Sequence, residues 1–166
     1  MGGLYIVTSG AMPTTAASVK VSTGTAIKTI LQVQASTVRP LFVVEYGISF
    51  DGNVAAQPIQ VELIDTFSIA ATVTAHVAAG VQPYDDPNAP PSTVILGASA
   101  TGYNASAEGS ITQTRYGDLQ LVAPVNQFIR QWPLGNEWQV PVSHNMRIRV
   151  TSATTVSCYA YAIVRE

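Results

Sequence analysis

The chain has 166 residues, 47% of them hydrophobic and only 11% charged, with a formal net charge of −2. That length suits one domain whose core needs no disulfide or metal to staple it. The slightly acidic balance excludes the basic stripe of a nucleic-acid binder, and no run approaches the roughly 18 apolar residues of a membrane-spanning helix.

A soluble domain ordinarily carries about 25% charged residues. Here Ala, Thr, Ser, Gly and Val stand in their place, and Lys20 and Lys28 are the only lysines. Charge is depleted at the cores of protein interfaces, so the composition points to a surface covered by other subunits. The plainer alternative is a genome-wide bias.

In chain order, residues 1–17 open with Gly-Gly, an apolar patch of Leu4, Tyr5, Ile6 and Val7, and then SGAMPTTAA. The patch is short and has no basic leader, so no signal peptide is expected. Ile6 occupies the place where myristoylation wants Ser or Thr. Four apolar residues are costly to leave in water, and the segment reads as an arm docked on a neighbouring subunit rather than a frayed tail.

Residues 18–166 read as the β domain. Residues 19–21 and 25–35 are strand candidates, the second with Ile27, Thr29, Leu31 and Val33 on one face. Residues 41–50 are β-branched and aromatic, Asp51-Gly52-Asn53 is turn chemistry, and Ile59, Val61 and Leu63 alternate with Gln60 and Glu62. The two runs predict an antiparallel pair. Residues 67–80 are Ala-rich, but Thr72, Val73, Thr74 and Val77 favour a strand. Residues 81–108 hold four prolines and the Asp85-Asp86 pair, which excludes regular structure over most of the segment. A loop that long is uncommon unless it has a role, and Val94, Ile95 and Leu96 point to an ordered excursion against another subunit. Residues 108–116 and 119–122 read as a hairpin turning at Gly117-Asp118. Residues 126–132 and 137–142 flank a Pro-Leu-Gly-Asn turn. A last hairpin joins residues 146–150 to 155–164, with Tyr159 and Tyr161 on one side. Strands so spaced predict an all-β, antiparallel sandwich or jelly-roll-like single domain.

Catalytic, cofactor and metal residues are not expected. His76 and His144 are the only histidines and have no companions at metal spacing. Asp85, Asp86 and Asn88 offer oxygen ligands for Ca²⁺, yet a solvated loop explains them as well. Gly97 to Gly102 has the two glycines of a phosphate loop, but Tyr103 stands where Lys is required. Glu45, Glu62 and Asp65 would suit a glycosidase only if two of them flanked one bond. Cys158 alternates with Val156, Ala160 and Ala162 and reads as a small buried residue. Arg147 and Arg149 share a strand face, either solvated or reaching carboxylates of a second subunit. Trp132 and Trp138 are core residues or interface anchors.

The runs GISFDGN, PIQVELID, VQPYDDPNAPPSTVILGASATGYNASAEGSI and QWPLGNEWQVPVSHNMRIRVTSA resemble those of tailed-bacteriophage capsid decoration, or cement, proteins. The resemblance implies a structural virion protein, not an enzyme, made in the host cytoplasm. It would bind the major capsid protein on the capsid exterior as a homotrimer, with neither nucleic acid nor membrane as partner. The readings of the residues above make Leu4, Tyr5, Ile6, Val7, Val94, Ile95, Leu96, Trp132, Trp138, Arg147 and Arg149 the expected contact residues of such an assembly. Two alternatives stand beside it. One is a tail or head-fibre component. The other is a carbohydrate-binding sandwich with Tyr103, Trp132 or Trp138 as stacking platforms.

Overall fold

A computed structural model describes residues 2–166. The strands are β1 (Leu4–Thr8), β2 (Val21–Ser22), β3 (Ile27–Gln34), β4 (Leu41–Asp51), β5 (Ile59–Asp65), β6 (Thr72–Ala75), β7 (Val81–Pro83), β8 (Gly102–Ala107), β9 (Arg115–Val122), β10 (Gln127–Gln131), β11 (Trp138–Val140), β12 (Asn145–Thr151) and β13 (Ser157–Arg165). They form two antiparallel sheets packed face to face, an all-β sandwich. The first sheet runs β10-β4-β13-β1-β7, with β11 continuing β10 along β4 and β2 pairing with β13. The second runs β6-β8-β3-β12-β5-β9.

The chain crosses repeatedly between the sheets. β3 and β4 lie in different sheets, and so do β12 and β13, with β12 beside β3 and β13 beside β4. Three expected hairpins are therefore corrected. β4 and β5 lie in opposite sheets instead of pairing; β4 pairs with β13, and β5 with β12. The last two strands likewise lie in opposite sheets. Residues 115–122 are one strand, in which Gly117 is an extra residue opposite the Leu63/Ile64 step of β5. A Cβ on Gly117 would stand 2.8 Å from the Trp138 indole, so the bulge brings backbone against the ring where Asp118 was expected to turn the chain.

The inward faces interdigitate Val33, Leu31, Met146, Ile148, Val61 and Leu63 with Val43, Tyr46, Ile48, Ala160 and Ala162, all buried. The central strands of the second sheet are buried on their outer face too. There Gln32 and Arg147 are register partners and hold the segments that lie over them. Gln32 Nε2 donates to the Ala100 carbonyl at 2.5 Å, and Gln32 Oε1 accepts from the Ala71 amide at 2.8 Å. Arg147 donates to the carbonyls of Glu108 (2.9 Å) and Ile69 and to the Glu108 carboxylate (3.2 Å). Glu108 in turn accepts from the Thr29 amide and hydroxyl, each at 2.6 Å.

The expected arm is also corrected. Residues 4–8 are not an appendage: β1 lies between β13 and β7, with Leu4 opposite Arg165 and Thr8 opposite Tyr161. Tyr5 and Val7 are buried in the sandwich, which is where their apolar side chains are stabilised. Only the segment after β1 behaves as a strap, exposed from residue 11 to residue 20.

Candidate binding face

A hollow lies on the outer face of the first sheet, beneath that strap. Two rows of register partners build it. Thr8, Tyr161, Gly47 and Ile129 run across β1, β13, β4 and β10, and beside them run Tyr159, Ser49 and Gln127. Small residues oppose both tyrosines. A Cβ on Gly47 would stand 2.4 Å from Tyr161 Cε1, so the phenol ring lies over the β4 backbone in space that any larger residue would fill. Above the rows, Met12 and Pro13 of the strap and Gln82 of β7 close the hollow, of about 570 Å³. That size is typical of ligand sites.

Both phenol hydroxyls are already engaged. Tyr159 donates to the Ser18 carbonyl at 2.6 Å and so pins the strap. Tyr161 donates to Glu45 Oε1, and burial together with that carboxylate pushes its hydroxyl well above the usual range. The side chains lining the hollow are aliphatic, aromatic, hydroxyl and carboxamide, with no ionisable acid or base other than the tyrosines among the described residues.

The residues marked in the sequence are dispersed. Leu4, Tyr5, Ile6 and Val7 form β1, and only Ile6 reaches the hollow. The expected excursion at residues 81–108 contains β7 and β8, and its remainder is tied to its own chain. Tyr5 donates to the Pro90 carbonyl at 2.7 Å, and Glu166 accepts from the Thr93 amide at 2.8 Å and from the Ser92 and Thr93 hydroxyls. Val94 is buried in the core, Ile95 bridges to Gln34, and Leu96 is 38% exposed. Asp85 caps backbone, accepting from the amides of Leu4 and Asp86, and Asp86 accepts from the Asn88 amide.

Arg147 and Arg149 are corrected as subunit contacts. Arg147 is wholly buried under the 66–71 and 108 segments, and Arg149 Nε donates to Glu62 at 2.6 Å. A strand with both faces covered reads in sequence like one with a solvated face whenever its outer face carries charge. Trp132 and Trp138 are half-buried, and each carries a guanidinium over its ring, Arg130 at 5.2 Å and Arg115 at 4.8 Å. Tyr103 packs against His76, ring centroids 4.9 Å apart. The three expected stacking platforms are thus partnered within the chain.

The remaining polar groups divide into separate local networks. Glu45 is held by Tyr161, Glu62 by Arg149, and Asp65 by His144 Nδ1 at 3.0 Å and Arg115 at 3.4 Å. The Asp65–His144 pair is flanked by Phe67 and Ser143, both at positive φ (56° and 60°), a backbone region costly for side chains of their kind. Burial pushes the Cys158 thiol up to about 12, away from the reactive thiolate. Sequence alternation alone marked Tyr159 and Tyr161 as one face. Gly47 and Ser49 show as their counterparts only once the β4–β13 register is known. No family model, curated protein or solved structure matches the chain.

Proposed function

We propose that the chain is a non-enzymatic virion protein that sits on the exterior of a phage capsid as a trimer, bound to the major capsid protein and stabilising its lattice. The observation that supports this reading most is the placement of charge. Of the eight cationic side chains, Lys20, Arg115, Arg130, Arg147, Arg149 and Arg165 are engaged in ion pairs within the chain. Meanwhile Val19, Val38, Val54, Leu121 and Leu134 are each more than 70% exposed. A surface poor in free charge and dotted with large apolar side chains favours cover by other protein. The resemblance in sequence supplies the kind of assembly, and repeated weak contacts over a lattice supply affinity.

The contact between copies is expected at β9. It is an edge strand whose outer backbone row is unpaired among the described residues, and Tyr116, Leu119 and Leu121 point outward from it at 55, 51 and 73% exposure. A second copy of the chain laid there covers both the backbone row and the side chains. The test is the solution mass by light scattering, for the wild type and Leu121→Lys, with co-sedimentation on purified heads that lack the protein. The reading requires a trimer weakened by the lysine and binding to heads. A monomer at micromolar concentration that stays in the supernatant overturns it.

A further inference from the structure

The hollow beneath the strap has a character that a lattice contact does not require. Its floor is two aromatic rings at adjacent outward positions of one strand, Tyr159 and Tyr161. Their hydroxyls are fixed by Ser18 and Glu45, so the rings are held in place before anything binds. Preorganised groups lose little freedom on binding. Exposed carboxamides stand on opposite sides of the rings, Gln127 on β10 and Gln82 on β7, the second bonded only loosely to the Ala79 carbonyl at 3.3 Å. A carboxamide both donates and accepts, so it matches a hydroxyl in either orientation. The described lining holds no carboxylate, ammonium, guanidinium or imidazole, which selects against charged ligands because a buried charge there would find no counter-ion.

We propose that this face binds a neutral oligosaccharide, with the apolar faces of its sugar rings stacked on Tyr159 and Tyr161 and hydroxyls of units to either side bonded to Gln82 and Gln127. An aromatic plane with flanking hydrogen-bonding groups is complementary to a molecule that is apolar on its ring faces and hydroxylated at its rim. The platforms differ from those expected in the sequence, since Tyr103, Trp132 and Trp138 are partnered elsewhere. The inference goes beyond the capsid reading and holds whether or not that reading does.

The test is titration calorimetry on the full chain with cellotetraose, maltotetraose, chitotetraose and galactotetraose at millimolar concentration, beside sialyllactose, a heparin tetrasaccharide and a decaproline peptide. At least one neutral tetrasaccharide should bind in preference to the charged ones. Its affinity should fall roughly tenfold in Tyr159→Ala, the loss of one aromatic contact. Leu134→Ser, in a distant exposed turn, should leave it unchanged. Gln127→Ala is the second variant, because that side chain lies on the surface and its loss does not threaten folding. The proposal is overturned if no neutral tetrasaccharide binds, if affinity survives Gln127→Ala and a folded Tyr159→Ala alike, or if the charged sugars or the peptide bind instead.

Discussion

The Tyr46 hydroxyl, on β4 of one sheet, donates to Asp118 Oδ2, on β9 of the other, at 2.8 Å. Asp118 Oδ1 also accepts from Arg130 at 3.1 Å, Gln120 at 3.0 Å and the Leu119 amide at 2.9 Å. One carboxylate thus closes the flank of the sandwich where β9 meets β10. Burial and that carboxylate push the Tyr46 phenol far above its ordinary range, so it remains a donor at any physiological pH. Tyr46→Phe should lower stability by about 1–2 kcal/mol, since Asp118 keeps its other partners. Urea unfolding checks this, and an unchanged midpoint would mean that the flank does not depend on the bond.

Arg147→Met tests the buried grip on the overlying segments. The substitution keeps the aliphatic stem but removes the guanidinium, so the carbonyls of Glu108 and Ile69 lose their Arg147 donor and the Glu108 carboxylate keeps only Thr29. The expected cost is about 3–5 kcal/mol, typical of breaking one side of a buried pair. Hydrogen exchange should quicken first around residues 66–71 and 108–114, ahead of the core strands.

His76 gives stability a pH dependence of predictable sign. The Thr8 carbonyl, 2.8 Å from Nε2, can only accept, so Nε2 carries a proton. Burial lowers its pKa below the ordinary 6.5. The unfolded chain then binds more protons than the folded one as pH falls below about 6.5. This contribution is therefore complete above that value and is lost as pH drops through the folded pKa. His76→Gln, which keeps a donor and does not titrate, should flatten the change in Tm between pH 7.5 and 5. An equally steep change in the variant would assign the effect to other groups.

Gly47 and Tyr161 should be coupled. Gly47→Ala alone drives a methyl into the phenol ring and should cost about 1–3 kcal/mol through overpacking. In the background of Tyr161→Ala the same change should cost much less. A double-mutant cycle by chemical denaturation measures the difference, and additivity would show that the ring does not rest on Gly47.

β-Branched and aromatic content along residues 41–50, and alternation along 59–65 and 146–150, are enough to identify strands, because both signals are local. Partners are not local. Asp51-Gly52-Asn53 turns the chain, yet it sends β5 to the opposite sheet, and nothing in a turn tripeptide distinguishes a hairpin from a crossing between sheets. β8, with sequence GYNASA, carries little β-branched or aromatic content and is held as a strand by β3 and β6, so its own residues do not announce it. Arg147 looked like surface because charge usually is. Its burial depends on loops distant in sequence. The face bearing Tyr159 and Tyr161 was visible as a pattern, but its shape is set by Gly47 and Ser49, over a hundred residues earlier.

The position of β12 and β13 has a consequence for synthesis. Each is a central strand of its sheet, and each is among the last parts of this sequence to leave the ribosome. Until then β3 and β5 have no common neighbour, β4 lacks its main partner, and β1 has waited through nearly the whole chain for the residues opposite it. Such long-range closure is slow, and the waiting strands present bare edges. Nascent chains stalled before residue 145 should therefore be the species that chaperones hold and proteases remove. Termination before β13 should yield aggregate rather than a slightly shortened domain.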